Sequence, residues 1–243
     1  MKTGIFKILT NKKIAKNTYE WVLEGDISDI TNPGQFVNIK LDGFYLRRPI
    51  SVCEAKDGKL TLIFKVVGDG TAKMAEAKPG DEFDVMTGLG NGYELSRAGN
   101  KPLLIGGGAG VPPMYMTARL LTEAGKTVKV ILGFGTKDEI FYKEEFEKLG
   151  CEVYVTTVDG SYGTRGFVTD AMAELDYSYF YTCGPEPMLK AIYDKSASDG
   201  EFSFEERMGC GFGACMGCTC ETKYKYKRIC RDGPVLTKEE IVW

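Results

Sequence analysis

Apolar and β-branched residues come in short runs through the first hundred positions, separated by polar residues and bounded by turn formers. The runs Thr3–Leu9, Thr18–Leu23, Gln35–Leu41, Leu46–Glu54, Leu60–Val67 and Glu82–Thr87 predict strands. Asn32-Pro33-Gly34, Asp57-Gly58 and Lys78-Pro79-Gly80-Asp81 supply turns between them. Short strands at this spacing predict a six-stranded antiparallel β-barrel. From about Lys101 the rhythm changes: the apolar strands Leu103–Ile105, Val128–Leu132, Val153–Thr157 and Tyr179–Thr182 alternate with helical stretches. Those stretches lie near Pro112–Glu123, Asp138–Leu149, Phe167–Leu175 and Pro185–Lys195, and the alternation predicts a doubly wound parallel α/β sheet. After Glu201 both patterns stop. The expectation is an α+β multidomain chain divided at 1–98, 99–200 and 201–243, the last part a small lobe.

Composition narrows the chemistry. The chain has 243 residues, 43% of them hydrophobic and 27% charged, enough for one large domain or two modest ones with buried cores. A net charge of −3 gives it no general attraction to nucleic acid or anionic membrane. No run of eighteen apolar residues occurs, and MKTGIFKILTNKK lacks an apolar signal region, so a cytoplasmic protein is expected. Histidine is absent, which excludes triads built on His, His-ligated metals and imidazole bases. Cofactors, thiolates, carboxylates and backbone dipoles remain.

Five of the eight cysteines fall in the last part of the chain. Cys210, Cys215 and Cys218 have C-x4-C-x2-C spacing, with Cys230 further on, which is the spacing of plant-type [2Fe–2S] sites. Gly211, Gly213 and Gly217 let a short loop turn its N–H groups toward sulfur. A structural zinc site more often shows paired CxxC knuckles, and disulfides are disfavoured in a reducing compartment. Cys220 is then expected to be a buried spectator, and Lys223–Arg228 an exposed hairpin strand.

Two glycine-bearing turns follow predicted strands and open helices. Gly108 and Gly110 lie in Ile105-Gly-Gly-Gly-Ala-Gly-Val-Pro-Pro113, where small residues let backbone approach a diphosphate at a helix N-terminus. Cys183-Gly184-Pro185 forms the second turn, and the switch-point rule sends both toward one crevice. The alternative for each is a tight strand–helix turn. In the barrel, Arg48-Pro49-Ile50-Ser51 and Gly70-Thr71 combine phosphate-binding groups with turns, although adjacent Arg47 and Arg48 read equally as surface charge. Asp159 follows the third sheet strand, where a carboxylate binds ribose hydroxyls or simply closes an Asp-Gly turn.

These motifs together resemble the ferredoxin–NADP reductase superfamily. Arg48-Pro49-Ile50-Ser51 is similar to its R-x-Y-S flavin motif, with Ile50 where a Tyr is usual. Gly70-Thr71 is similar to its second flavin diphosphate contact. Gly108-x-Gly110-x-x-Pro113 and Cys183-Gly184-Pro185-x-x-Met188 are similar to its pyridine nucleotide motifs. The phrases RRPIS, DGSYGTRGFVTD, CGPEPM and ERMGCGFGACMGC resemble, in order along nearly the whole chain, one branch: the electron-transfer subunits of NAD-dependent (class 1B) dihydroorotate dehydrogenases.

The resemblance implies FAD in the barrel, NAD as substrate at the α/β domain, and a [2Fe–2S] cluster on Cys210, Cys215, Cys218 and Cys230. It implies Arg48, Pro49, Ile50, Ser51, Gly70 and Thr71 around FAD, with Lys65, Val66 and Val67 lining the flavin by main-chain contacts. NAD is then expected at Gly108, Gly110, Asp159, Cys183, Gly184 and Pro185. The implied partner is an FMN-containing catalytic subunit that oxidises dihydroorotate to orotate in pyrimidine biosynthesis, two of each subunit per assembly. A flavin joins the one-electron cluster to the two-electron hydride of NAD, so no protein acid or base is required. Trp243 is expected to pack the carboxyl-terminal segment, with a flavin cover as the alternative. Two rivals stand beside this: a subunit of another NAD(P)-linked ferredoxin or sulfur reductase, and a non-enzymatic module with zinc on four thiolates.

Overall fold

The computed structural model describes residues 1–243. Strands β1 (Lys2–Ala15), β2 (Thr18–Glu24), β3 (Phe36–Ile39), β4 (Arg48–Lys56), β5 (Lys59–Lys65) and β6 (Glu82–Leu89) close a barrel in the order β1-β2-β5-β4-β3-β6. Every neighbouring pair is antiparallel. Period-two alternation fills it: Trp21 and Leu23 from β2, with Leu60, Leu62 and Phe64 from β5, are buried in one apolar cluster. Helix α1 (Asp69–Glu76) links β5 to β6 and sinks Met74 into the same core.

The second part is a seven-stranded sheet in the order β10-β9-β8-β7-β11-β12-β15. Its strands are β7 (Pro102–Gly107), β8 (Lys129–Phe134), β9 (Glu152–Thr157), β10 (Thr164–Arg165), β11 (Tyr179–Cys183), β12 (Gly200–Ser203) and β15 (Val235–Thr237). All pairs are parallel except β12–β15. Helices α2 (Pro112–Glu123), α3 (Lys143–Lys148), α4 (Val168–Met172) and α5 (Glu186–Lys195) connect them. Strand β7 is buried throughout, as a strand covered on both faces must be. The chain order reverses between β7 and β11, so the turns after these two strands share one crevice.

Two helices are shorter than the sequence pattern predicts. Across 138–149 only Lys143–Lys148 is α-helical: a 3-10 turn over Lys137–Glu139 ends at the extended Ile140, and Tyr142 is left-handed at φ 64°. That path lets Phe141 pack on Phe134, ring centres 5.4 Å apart. Across 167–175 the helix starts at Val168 and its last turn tightens, with Glu174 and Leu175 donating to the carbonyls of Ala171 and Met172.

Between β12 and β15 lie the hairpin β13 (Thr219–Glu221) and β14 (Tyr226–Arg228) and the short helix α6 (Ile229–Asp232). Hydrogen bonding of the sheet therefore continues across the division placed at residue 200. Barrel and sheet are joined by polar contacts: the Arg119 guanidinium grips both carboxylate oxygens of Glu54, and the Tyr142 hydroxyl donates to Glu20 at 2.7 Å. No helix is long and apolar enough to cross a membrane.

Glu201 is the costly residue of this framework. It is 2% exposed, and one carboxylate oxygen accepts the Glu94 N–H at 2.9 Å. Burial raises its carboxyl to about 7, against the pull of the Glu94 N–H and Arg97. The folded chain then holds a proton that the unfolded chain releases near pH 4.5, so stability falls as pH rises from about 4.5 to 7. Glu201→Gln keeps an oxygen acceptor for Glu94 without the charge. It is expected to flatten this slope and add on the order of 2 kcal/mol at pH 8. Melting curves from pH 5 to 8 check it; an unchanged slope contradicts the assignment.

Candidate functional site

The two adjacent arginines, Arg47 just before β4 and Arg48 its first residue, turn opposite ways. Arg47 turns to Asp84 and makes a two-pronged ion pair, 3.0 and 2.9 Å, that fastens β4 to β6. Arg48 turns the other way, stacks 4.7 Å over the Phe44 ring, and bonds only carbonyls, those of Leu46 and Arg47. It makes no ion pair and faces a cleft of about 360 Å³. A Cβ on Gly70 would overlap the Arg48 Nε, so α1 approaches this guanidinium closely only because position 70 has no side chain. The Thr71 hydroxyl accepts the N–H groups of Val67 (2.9 Å) and Gly68 (3.2 Å), which shapes the start of α1. Helix α1 therefore brings its N-terminal dipole beside Arg48, a pairing suited to a diphosphate.

The cleft gathers Arg48, Pro49, Ile50, Ser51, Lys65, Val67 and Thr71. Val66 is not among its walls; its N–H bonds the Asn17 carbonyl at 2.7 Å. Gly108 lines a small recess alongside, which shares Lys65 with the cleft. Gly110 lies against the Cys183 carbonyl, where any Cβ would overlap it, so the two switch-point turns interlock. Pro185 and Met188 close on Gly107, and Met188 also covers Gly184. Cys183 is fully buried and its thiol is raised by that burial. Asp159 stands apart in an exposed turn beyond β9, where it holds the Ser161 N–H (2.9 Å) and hydroxyl (2.6 Å). Its carboxyl is lowered by these bonds, the hydroxyl first.

One wall of the cleft carries no sequence signal. Ser203, Phe204, Glu205, Glu206 and Met208 line it, because the chain leaving β12 folds back over the barrel. Trp243 packs on Phe204 and Tyr193, at ring distances of 5.8 and 6.0 Å, and is not a cleft wall.

The cysteine loop starts two residues beyond Met208. The Cys210 sulfur accepts N–H groups from Ala214 (3.2 Å) and Cys215 (3.4 Å); Cys215 accepts from Cys210 and Gly217, both at 3.5 Å. Cys218 accepts the Cys230 N–H at 3.4 Å. Gly211 and Gly213 take left-handed φ of 79° and 91° to turn the loop inward. Burial opposes ionisation of Cys210, yet these N–H groups and the Cys215 thiol bring it down to about 6. Burial and the Cys218 sulfur push Cys230 up to about 12. Backbone N–H to sulfur bonds thus tie Cys210 to Cys215 and Cys218 to Cys230. Sulfurs that accept inward-turned N–H groups, at C-x4-C-x2-C spacing with a distant fourth cysteine, suit a [2Fe–2S] cluster on Cys210, Cys215, Cys218 and Cys230. Cys220 is half-buried in β13 opposite Lys227, not fully buried as expected, because the hairpin exposes one face.

A flavin-sized cleft on a closed barrel, a switch-point crevice and a cysteine loop define a flavin- and pyridine-nucleotide-dependent reductase fold with an iron–sulfur lobe. The comparisons agree. The iron-sulfur cluster binding domain of dihydroorotate dehydrogenase B matches residues 205–242, and the oxidoreductase NAD-binding domain matches residues 104–194. The dihydroorotate dehydrogenase B (NAD(+)) electron transfer subunit of Fusobacterium nucleatum subsp. nucleatum is 46% identical, over 99% of each chain. That of Bacillus caldolyticus is 44% identical over 97% of this chain and 96% of its own. A solved NADH-dependent reduced ferredoxin–NADP oxidoreductase superposes with TM-score 0.89 at 32% identity, over 99% of this chain and 90% of that one. A ferredoxin NADP+ reductase from Neisseria gonorrhoeae, 18% identical with TM-score 0.70 over 80% of this chain and 90% of its own, shares the fold. The chain belongs to the family of dihydroorotate dehydrogenase B (NAD(+)) electron transfer subunits.

Gly70→Ala tests the cleft. Its methyl must displace the Arg48 guanidinium, so FAD retention is expected to fall about tenfold while the fold, read by far-ultraviolet circular dichroism, is kept. Undiminished flavin content in the purified variant would remove Arg48 from the diphosphate site.

Proposed function

We propose that this chain passes electrons from a catalytic subunit through a [2Fe–2S] cluster and FAD to NAD+, and so lets dihydroorotate be oxidised at the expense of NAD+ in pyrimidine biosynthesis. The observation that carries this reading is one shared wall: Ser203–Glu206 and Met208 line the cleft with Arg48–Ser51, and their segment leads directly into the cysteine loop. A flavin held there supplies the exchange between single electrons and hydride.

The chain's own residues do the holding. Residues 1–98 take FAD, with Arg48, Ser51, Thr71 and the start of α1 at its diphosphate and the main chain of Lys65–Val67 beside its ring. Pro49 and Ile50 present an aliphatic surface where the superfamily usually offers an aromatic ring. Residues 99–200 take NAD, through Gly108, Gly110, Cys183, Gly184 and Pro185 at the crevice and Asp159 at a ribose. Residues 201–243 carry the cluster on Cys210, Cys215, Cys218 and Cys230, and lend β12 and β15 to the sheet. The buried Cys183 shapes the crevice floor by its carbonyl, which Gly110 approaches. Within this reading the assembly is cytoplasmic, free of membrane and nucleic acid, and a heterotetramer with two FMN-containing catalytic subunits.

The 32% relative keeps a second reading in view, a subunit that serves ferredoxin instead. Full-length identities of 42–46% to dihydroorotate dehydrogenase B subunits favour the first. Co-expression with an FMN-containing dihydroorotate-oxidising subunit separates them. A stable complex of two copies of each chain that forms NADH from dihydroorotate, with neither chain active alone toward NAD+, is expected. No complex, together with NADH-dependent ferredoxin reduction, would overturn the assignment.

A further inference from the structure

Between the flavin cleft and the Gly108 turn lies a recess with walls from both domains: Thr18, Ile63 and Lys65 from the barrel, Gly108, Phe134 and Glu139 from the sheet. Its free volume is about 20 Å³, room for about one water. Two of its walls form an ion pair. The Lys65 ammonium, at the end of β5, meets one Glu139 oxygen at 2.9 Å across the gap between the domains. The other Glu139 oxygen accepts the Gly135 N–H at 3.0 Å, so the carboxylate is anchored on the sheet side. Lys65 is anchored only by its strand and also lines the flavin cleft, so its long stem can reach either side.

We infer that Lys65 and Glu139 form a latch that closes the passage between the Gly108 turn and the flavin cleft, and that the diphosphate of an entering dinucleotide opens it by taking Lys65 from Glu139. This rests on the reading that NAD occupies the crevice at Gly108, Gly110 and Cys183. The exchange is physically balanced. Lysine trades one carboxylate for a more highly charged diphosphate, while Glu139 keeps its backbone donor. Both side chains remain partly exposed, so the closed pair is weak and costs little to open. The latch favours ligands that carry a diphosphate over those without one.

The test is NAD+ affinity of the full chain loaded with oxidised FAD, which cannot exchange hydride with NAD+, read by equilibrium titration of flavin fluorescence. Glu139→Gln retains an acceptor for Gly135 and frees Lys65, so Kd is expected to fall about three- to fivefold. Lys65→Gln is expected to raise Kd about tenfold. In the double variant the Glu139→Gln gain vanishes, because no ammonium remains to release. Unchanged or weaker binding in Glu139→Gln, or a gain that persists without Lys65, would overturn the latch and leave the NAD site standing. A wild-type chain that does not bind NAD+ would bring down both.

Discussion

The cysteine segment is held at both ends by one pair of strands. Residues leave the sheet at Ser203 and re-enter at Val235, and these two are register partners in the antiparallel β12–β15 pair. The Phe204 N–H donates to the Pro234 carbonyl at 2.9 Å, extending the clamp by one rung. From the barrel side, Asn91 copies a strand: its side chain donates to the Val235 carbonyl at 2.9 Å and accepts the Val235 N–H at 3.1 Å. Its own N–H donates to the Gly233 carbonyl at 2.7 Å. Barrel, sheet and cysteine loop are thereby fixed to a single point, and the cleft wall at Ser203–Glu206 and Met208 is its consequence. An electron-transfer chain needs that rigidity, because rates and potentials depend on fixed placement and on donors near each centre.

Much of this was legible from local pattern. The six barrel strands, the strand–helix alternation and the C-x4-C-x2-C spacing are short-range signals, and each led to the element it implies. The pairing of Arg47 with Asp84 was not legible, since the two lie far apart in sequence. Only one of the two adjacent arginines faces the cleft, and local pattern does not say which. The wall formed by Phe204, Glu205 and Met208 was invisible for the same reason: nothing local tells the chain after β12 to fold over the barrel. The helix expected from Asp138 failed at Tyr142, where burying Phe141 against Phe134 outweighed local helix propensity.

The interface between barrel and sheet is polar where it flanks the nucleotide path and apolar beneath it. Arg119 with Glu54, Tyr142 with Glu20 and Lys65 with Glu139 span it, while Ile63 and Cys53 join the core under the sheet. A polar seam can open locally without unfolding either core, which suits a crevice that must admit and release a substrate every turnover. The absence of histidine fits this division of labour, with chemistry left to bound groups and the protein contributing dipoles, thiolates and one well-placed arginine.

The most direct measurement is the visible spectrum of anaerobically purified protein before and after NADH, with iron and acid-labile sulfide assayed on the same sample. Flavin bands over a broad cluster absorbance, about two irons and two sulfides per chain, and bleaching by NADH are the expected result. A colourless protein containing zinc, or a flavoprotein without iron, would contradict the account.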